Sequence, residues 1–456
     1  MLPPSKEPLS APESPAAAAA GGPGQAQAPA GAPSAPTGAG RVRSALGDVL
    51  FYISFPFGFM GFILPIYGEA IGASATAIGA LFSVFSLMTL VLRPLVGYSL
   101  DRWGRRPFFL AGVSLYAATM LIFAAVANYT GLLVARTVQG VASSGMWLAV
   151  YAMVSDFSDP QHRGGNYGAM QQRANAGGLY GAILGFLVLM AVQRSLNTPH
   201  TALAIQASFA LYFAVSLYAL AKAVRVPETW RGSHAPAGVD PPSGGAAASA
   251  AVAERAGAAG GKRLFSPRYL GVLGAVFLTG TGNGMLAPLM MVYLMAKTGA
   301  SIVELGLAYL PAGLVWAVLP EKAGQIADRH GRRKFMILGL LASAAVALIV
   351  PASAKLWPLA FIWAAEAAAL SLAIPAEQAT ISDLTGENVR GQAYGYYDVA
   401  SASGFTLGPL LGGWLFDHFS HAAPFYADAA ILLLAAVVVA AALRGFSGRN
   451  SPSGNE

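Results

Sequence analysis

Four charged side chains stand inside long apolar segments of this sequence. Arg136 lies within LLVARTVQGVASSGMWLAVYAMVSD, Glu366 and Glu377 within LWPLAFIWAAEAAALSLAIPAEQATISD, and Asp398 within AYGYYDVASASG. A charged group at the centre of a bilayer costs roughly 2.5 to 3.5 kcal/mol, so it needs water or a partner. A carboxyl whose surroundings change between two states can take up and release a proton. The four are therefore candidates for proton coupling, with Glu366 first; the alternative for each is a permanent structural pair.

The segment around Arg136 carries polar and aromatic residues at helical spacing. Arg136, Gln139, Ser143, Trp147 and Tyr151 follow at intervals of three or four residues, which places them on one helical face. We expect this face to look inward and Arg136 to find water or a carboxylate there. The candidates for a substrate cavity are Gln139, Trp147, Tyr151, Gln171, Arg173, Asn175, Asn283 and Trp363. Their polar members could instead tie neighbouring helices together.

The composition indicates that these segments cross a membrane. The chain of 456 residues is 55% hydrophobic and 11% charged, with a mean hydropathy of +0.55. Soluble globular proteins carry about 25% charged residues, so this chain has too little polar surface to coat a soluble particle. Cysteine is absent, which excludes disulfides, thiolate metal sites and thiol chemistry.

Stretches rich in Ala, Pro, Gly and Ser divide the chain. We expect residues 1–43 to be a disordered tail, 227–263 a disordered linker and 445–456 a short tail, with hydrophobic blocks at 44–226 and 264–444. A spanning helix with its turn takes about 30 residues, so each block holds six spans. The predicted spans start near Ala45, Ile78, Phe108, Leu132, Tyr167, Ala202, Tyr269, Ile302, Phe335, Leu356, Ala393 and Pro424. The predicted fold is an all-α membrane protein of twelve transmembrane helices in two six-helix bundles.

The basic residues predict the orientation in the membrane. With the N-terminus in the cytoplasm, the outward loops contain only Arg194, Lys297 and Lys355, and most other basic residues flank the cytoplasmic side. This positive-inside bias accounts for a pI near 9.5 without any nucleic-acid partner. Both termini and the linker are then cytoplasmic. Arginine outnumbers lysine, and Ala, Gly and Pro are abundant, which favours a GC-rich, bacterial coding genome and the inner membrane.

The loops after the second and eighth predicted spans repeat one motif. GYSLDRWGRRP contains Gly97, Asp101, Arg102, Gly104, Arg105 and Arg106, and GQIADRHGRRK contains Gly324, Asp328, Arg329, Gly331, Arg332 and Arg333, each 227 residues later. Asp156 recurs at Asp383 with the same offset. The blocks are therefore parallel copies of one six-helix unit, related by a pseudo-two-fold axis along the membrane normal. In this register Glu366 aligns with Gln139, so we expect its carboxyl to lie opposite the Arg136 face.

The sequence lacks the motifs of ATP use and of hydrolysis. It contains no GxxxxGK[ST] loop to hold phosphates, and no HExxH or Ser-His-Asp spacing stands out. We therefore expect a secondary transporter rather than an enzyme, with no metal and no cofactor. Its small-molecule substrate should pass between the two copies near the membrane midplane.

The doubled GxxxDRxGRR motif, in a chain of six plus six helices with a long central loop, resembles the major facilitator superfamily over roughly residues 44–446. The resemblance implies a monomeric transporter with a cytoplasmic latch. In that latch Asp101 and Arg105 pair with helix ends and with Asp156 when the inner gate is shut. Asp328 and Arg332 pair with Asp383 in the second copy. The alternative is that the motif arginines only anchor the topology.

Two further segments refine this resemblance. The RxxQG of Arg136 is similar to the superfamily's fourth-helix motif, which is linked to proton coupling, and FPFGFMGFILPIYGEAIGAS is similar to the drug-proton antiporter branch. That branch usually carries a glycine ridge with a proline in the fifth span. Here the ridge GFTLGPLLGG, with Gly404, Gly408 and Pro409, stands in the eleventh span. The fifth span has GLYGAILG, with Ala182 in the place of the proline, which favours import over antiport.

The balance of aromatic and polar residues indicates the kind of substrate. Aromatic side chains are plentiful within the predicted spans and polar ones are few, which suits amphipathic or aromatic molecules better than sugars. We therefore predict proton-coupled efflux of hydrophobic or amphipathic small molecules. The alternative is a proton symporter or uniporter that imports a small metabolite. A receptor or scaffold would need motif-bearing tails, and these tails look disordered.

Overall fold

The computed structural model describes residues 38–158, 163–196, 201–229, 265–385 and 389–445. Every regular element in these ranges is helical. The first block contains α1 (Gly38–Ile53), α2 (Phe55–Ala70), α3 (Ala75–Trp103), α4 (Arg106–Ala125), α5 (Tyr129–Phe157), α6 (Arg163–Leu196) and α7 (Thr201–Ala223). The second contains α8 (Pro267–Leu286), α9 (Leu289–Thr298), α10 (Ile302–His330), α11 (Arg332–Ile349), α12 (Leu356–Leu384), α13 (Arg390–His418) and α14 (Ala423–Ala442), with a 3₁₀ turn (Val350–Ala352) after α11. Most of the predicted tails and linker lie outside the described ranges.

The first and seventh spans are each interrupted. Pro56 stands in the first turn of α2, and Pro288 directly precedes α9. Proline has no backbone N–H to continue a helical ladder, so each span is divided into two helices at these positions. The first and seventh spans therefore each consist of two helices. In addition, α1 begins at Gly38, inside the segment predicted as a tail.

The described helices confirm the all-α membrane architecture. Eleven of the described spans are long and apolar enough to cross a bilayer, with α1 and α2 counted together. α5 has 29 residues and is less apolar, since it carries the polar face around Arg136. It packs between α3 and α4 in the first bundle. The structure therefore has the twelve-span arrangement, with α5 as its fourth span.

The internal repeat reappears in the helix boundaries. α3 and α10 are each 29 residues long, and both ends of α10 lie 227 residues after those of α3. The same offset relates both ends of α5 and α12, and the first residues of α6 and α13. The two bundles therefore use the same local signals to start and stop their helices.

The apolar core differs between the two sides of the membrane. We call the side of the GxxxDRxGRR loops the motif side and the opposite side the far side. On the far side, buried residues of the second bundle such as Leu289, Leu294 and Phe425 pack into one core with the first bundle. On the motif side, the second bundle has its own core, which includes Tyr269 and Met336. The buried apolar cores of the two bundles are thus joined at the far side and separate at the motif side.

Candidate functional site

A pocket lies between the two bundles in the motif-side half. Its volume is about 480 Å³, and its walls come from α3, α5, α6 and α13. The lining residues are Arg93, Trp147, Leu148, Tyr151, Tyr167, Asp398, Ser401 and Ala402. Three of the sequence candidates, Trp147, Tyr151 and Asp398, therefore meet in one cavity.

The pocket combines charge with aromatic surface. Asp398 of α13 and Arg93 of α3 both line the pocket, and they do not form a direct ion pair. The rings of Trp147 and Tyr151 lie 5.9 Å apart between centroids, and Tyr151 lies 5.9 Å from Tyr167. A carboxylate beside aromatic faces can hold an organic cation, because both attract positive charge.

Arg136 occupies a buried network instead of the pocket wall. Its Nε donates to the carbonyl of Leu81 at 3.0 Å, and its Nη1 donates to Oε1 of Gln139 at 2.6 Å. The guanidinium also lies over the ring of Phe85, 4.4 Å from the centroid. The partners that the structure shows for Arg136 are a backbone carbonyl, an amide and aromatic faces rather than a carboxylate.

The network continues toward the pocket through aromatic rings. Nε2 of Gln139 donates to the hydroxyl of Tyr116 at 3.0 Å. The ring of Phe57 stacks on Tyr116 at 5.4 Å and contacts Trp147 at 6.5 Å. A series of contacts therefore connects Trp147 in the pocket wall with the buried arginine.

Replacing Arg136 with lysine is expected to lower the free energy of unfolding by about 1 kcal/mol, because an ammonium cannot reproduce the forked bonds to Leu81 and Gln139. The measurement is the melting temperature of the purified protein in detergent. The matched control is Arg93→Lys, since the Arg93 guanidinium faces the pocket. Equal melting temperatures for the two variants would contradict the role of the buried network.

The two glutamates of α12 are buried but face different partners. Glu366 is 7% exposed, and its charge acts on the carboxyl of Asp428 in α14. Glu377 is 4% exposed, and its carboxyl lies near the hydroxyl of Tyr397 of α13. The prediction that Glu366 lies opposite the Arg136 face stays a prediction. Both glutamates stay candidates for proton coupling.

The remaining cavity candidates lie outside the pocket. Gln171 and Asn175 are exposed and hydrogen-bond to each other along α6, at 2.9 Å. Arg173 is exposed and packs against Gly47 of α1. Trp363 contacts the ring of Tyr309 at 4.9 Å in the second bundle. Asn283 is half-buried in α8, and the pocket lining does not include it.

The repeated motif forms equivalent ion-pair clusters in the two bundles. Arg105 contacts Asp101 at 3.2 Å and Asp156 at 3.3 Å. In the second bundle Arg332 contacts Asp328 at 2.7 Å and also pairs with Asp383. The sequence placed these pairs in a state with the inner gate shut. In this structure each pair forms within one bundle.

The other motif residues shape the two turns. Gly104 and Gly331 have φ values of +91° and +102°, which residues with a side chain rarely adopt. Arg106 donates to the carbonyls of Val224 and Val226, and Arg333 donates to the carbonyl of Ala440. Gly97 is buried, Gly324 packs against Pro375, and Arg102 and Arg329 are exposed.

The beginning of the predicted linker packs on the first motif. The carboxylate of Glu228 accepts from the backbone N–H groups of Arg105 and Arg106 at 3.1 and 3.0 Å. Thr229 donates its hydroxyl hydrogen to Asp156 at 2.9 Å. A negative charge at the first turn of α4 stabilises that helix end. Residues 227–229 are therefore part of the ordered motif rather than a spacer.

Both glycine ridges allow helices to pack closely. A Cβ at Gly181 would lie 2.1 Å from the carbonyl oxygen of Phe55, so α6 and α2 are in backbone contact. A Cβ at Gly404 would lie 2.4 Å from the carbonyl oxygen of Phe277, where α13 meets α8. The described contacts give these glycines a packing role.

At the far side α3 and α13 meet across the bundle interface. Oδ1 of Asp417 accepts from the backbone N–H of Ala75 at 3.0 Å, and Oδ2 accepts from the N–H and hydroxyl of Thr76 at 2.7 and 2.6 Å. A Cβ at Gly79 would lie 2.0 Å from the carbonyl oxygen of Pro409. Asp417 of one bundle therefore caps the first turn of a helix in the other.

Sequence reasoning missed three charged residues: one that lines the pocket, one that joins the bundles at the far side and one that is buried in α14. Arg93 lies in LVLRPLVG, Asp417 in GGWLFDH and Asp428 in FYADAAILLL. The same signal that selected Asp398, a charge inside or at the end of an apolar run, was present for each. Their partners were not readable, because a partner depends on which helix faces which.

Comparison with known proteins agrees with this geometry. The family model described as Major Facilitator Superfamily matches residues 49–320 and 272–455. The human chromaffin granule amine transporter is 28% identical over 347 residues, covering 74% of this chain and 60% of that protein. Multidrug resistance protein 2 of Bacillus subtilis (strain 168) is 30% identical over 171 residues, covering 37% of this chain and 42% of that protein.

The solved structures are similar in fold. A bacterial homologue of the human lysosomal transporter Spinster, in an inward-facing and unoccupied conformation, superposes with a TM-score of 0.71 at 18% identity. The match covers 91% of this chain and 99% of that one. The match to the amine transporter spans less than two thirds of that relative's length. With two repeated six-helix bundles, a pocket between them and a family match over most of its length, this chain belongs to the major facilitator superfamily.

Proposed function

We propose that this protein is a proton-coupled exporter of amphipathic small molecules that carry a positive charge. The observation that carries the proposal is the position of Asp398 in a pocket walled by Trp147, Tyr151 and Tyr167. The carboxylate would bind the charged end of the substrate, and the rings would bind its apolar body. Arg93, which also lines the pocket, would disfavour a second positive charge.

The arrangement of the bundles supports loading from the motif side. The far side is closed by the joint apolar core and by Asp417, whereas the pocket lies in the motif-side half. Basic residues are concentrated on the motif side, which is the cytoplasmic side by the positive-inside bias. We therefore infer that both termini are cytoplasmic, that a monomer sits in a bacterial inner membrane, and that substrate enters from the cytoplasm.

The relatives support the same chemical class. Those compared are named as amine and multidrug transporters. An alternative remains in which protons accompany an imported metabolite, and the position of Ala182 in the fifth span favours it. The direction of proton movement separates the two.

The test uses purified protein in proteoliposomes with a pH-sensitive dye inside and the membrane potential clamped. Gradients of tetraphenylphosphonium, an aromatic monoamine and an aromatic carboxylate are imposed in turn. We expect the two cations to drive protons in the opposite direction and the carboxylate to drive none. If protons moved in the same direction as a substrate, the result would contradict coupled export and support symport.

Asp398→Asn is expected to lower cation-driven proton movement at least fivefold, because it removes the negative charge from the pocket. The matched control is Asp48→Asn, since Asp48 pairs with Lys222 at 2.8 Å and does not line the pocket. Loss of activity in the control alone, or normal activity in Asp398→Asn, would contradict the assignment of the pocket.

A further inference from the structure

A second cavity lies between the two bundles at the far side. Its volume is about 330 Å³, and its walls come from the last turns of α2, α6 and α9, the turn before α10 and the first turn of α10. The lining includes Glu69, Gln193, Met295, Ser301, Ile302 and Val303. Ser301 and Val303 are exposed, so the cavity can be reached from the far-side surface. Ligand pockets have volumes of about 300 to 1,000 Å³, so this cavity suits a small organic molecule.

Glu69 is the charged residue among those that line this cavity in the described structure. Its Oε2 is shielded from solvent and accepts no hydrogen bond from any described residue. Within the described ranges Glu69 also forms no ion pair. Arg194, which follows the lining residue Gln193, is exposed and lies outside the lining. A shielded carboxylate oxygen without a donor is costly, so a ligand that supplied a donor would be favoured here.

The charged residues of the neighbouring turns are engaged by other partners. Lys297 of α9 donates from Nζ to the hydroxyl of Tyr293 at 2.7 Å. The carboxylate of Glu304 in α10 accepts from the backbone N–H and from the hydroxyl of Ser301, each at 2.8 Å. Neither Lys297 nor Glu304 lines the cavity. Of the described residues, Glu69 is therefore the one that attracts a positive charge into it.

The chemistry of the wall indicates the kind of ligand. A divalent metal ion would need about six oxygen ligands, whereas the described wall offers one carboxyl, the amide of Gln193 and the hydroxyl of Ser301. The other lining side chains are apolar and would pack on a hydrocarbon body. We propose that this cavity is a second binding site, on the far side of the transporter, for small protonated primary or secondary amines. The ammonium would donate to Glu69, and the apolar part of the amine would lie against Met295 and Ile302.

This site would differ in selectivity from the pocket of Asp398. Tetraphenylphosphonium is bulky and has no N–H group, so it cannot donate a hydrogen bond to Glu69. The carboxylate and aromatic rings of the other pocket attract a positive charge without needing such a bond. The inference goes beyond the proposed function, since amine binding here requires neither proton coupling nor a given direction of transport.

The absence of cysteine allows a direct test of occupancy. Val303→Cys places a single thiol in the cavity wall, and the uncharged reagent N-ethylmaleimide reports whether it is covered. The full chain in lipid nanodiscs is treated at neutral pH, and mass spectrometry measures the rate of modification. We expect saturating tryptamine to slow the modification at least about fivefold, because most cavities are then occupied. The neutral analogue 3-methylindole and tetraphenylphosphonium should leave the rate unchanged. No protection by tryptamine, or equal protection by all three compounds, would overturn the proposal.

The role of the carboxyl is tested with Glu69→Gln in the Val303→Cys protein. We expect the tryptamine concentration for half-maximal protection to rise at least about tenfold, the loss expected for a charge-assisted hydrogen bond. The matched control is Glu304→Gln, which removes a neighbouring carboxylate outside the lining and retains a residue that completes the capping box. This control should keep the original affinity. An unchanged affinity in Glu69→Gln would overturn the assignment, and the comparison of the three compounds decides the matter even where this variant fails to fold.

Asp398→Asn, combined with Val303→Cys, separates this site from the proposed function. A conformational effect that reached Val303 from the substrate pocket would be lost in this variant, whereas protection by an amine in the far-side cavity would persist. We therefore expect tryptamine to protect this variant as well. Loss of the protection would overturn the far-side site. If the wild type moved neither tetraphenylphosphonium nor protons in proteoliposomes, the proposed function would be wrong, and the protection experiment would still report whether the cavity binds an amine.

Discussion

Replacing Gly408 with alanine is expected to destabilise the protein by about 3 kcal/mol, which is about a hundredfold in the folding equilibrium. A Cβ at this position would lie 2.2 Å from the carbonyl oxygen of Thr281 and 2.8 Å from the backbone nitrogen of Met285. Both atoms belong to the backbone of α8, so the clash cannot be relieved by a side-chain rotation. α8 and α13 would have to separate along their whole contact. The measurement is the melting temperature in detergent.

Gly274 supplies the matched control for this substitution. It lies on α8 as well, and a Cβ there would meet no heavy atom within 4 Å. Gly274→Ala should therefore keep the melting temperature or raise it slightly, because alanine favours a helix interior over glycine by about 1 kcal/mol. If Gly408→Ala had the melting temperature of the wild type, the result would contradict the close approach of α8 and α13.

Replacing Asp417 with alanine is expected to open the far side. The substitution removes the acceptor of three hydrogen bonds from Ala75 and Thr76 in the first turn of α3, two of them from backbone N–H groups. The loss of a helix cap costs about 0.5 to 2 kcal/mol, and this cap joins the two bundles. We therefore expect the population with a separated far side to rise by up to about thirtyfold. Substrate exchange at that side should become faster.

The absence of cysteine makes this change directly measurable. Spin labels on Ala127→Cys and Ala354→Cys would report the distance between exposed far-side loops of the two bundles. The matched control is Glu304→Gln, because Glu304 is part of a far-side capping box with Ser301 inside one bundle. The fraction of molecules with the longer distance between the labels should increase in Asp417→Ala and not in the control. The same distance distribution in all three proteins would show that Asp417 does not hold the far side closed.

The sequence predicted the repeated units better than the contacts between them. The offset of 227 residues gave the correspondence of α3 with α10 and of α5 with α12, since helix starts, turns and the motif glycines are specified locally. The break before α9 was missed even though Pro288 was visible. A proline can bend a span or divide it, and only the packing around it decides which.

The partners of the buried charged residues could not be predicted from the sequence. Arg136 was correctly expected to turn away from lipid, yet its acceptor is the carbonyl of Leu81, and a backbone acceptor leaves no mark in a sequence. Glu366 aligns with Gln139 in the repeat, but the two bundles use this position differently. Gln139 donates to Tyr116, whereas Glu366 brings a buried carboxyl to the same position of the second bundle. The rotation of each helix about its axis, which the repeat does not specify, decides these partners.

The joined core on the far side also makes the equilibrium between the two open forms depend on temperature. Separation of the bundles there would expose apolar side chains such as Leu294 and Phe425, whereas the motif-side cores are already separate. Exposure of apolar surface to water raises the heat capacity, and the attraction that opposes it weakens on cooling. The balance between the two open forms must therefore change with temperature even without substrate or protons, and cooling favours the form that is open at the far side.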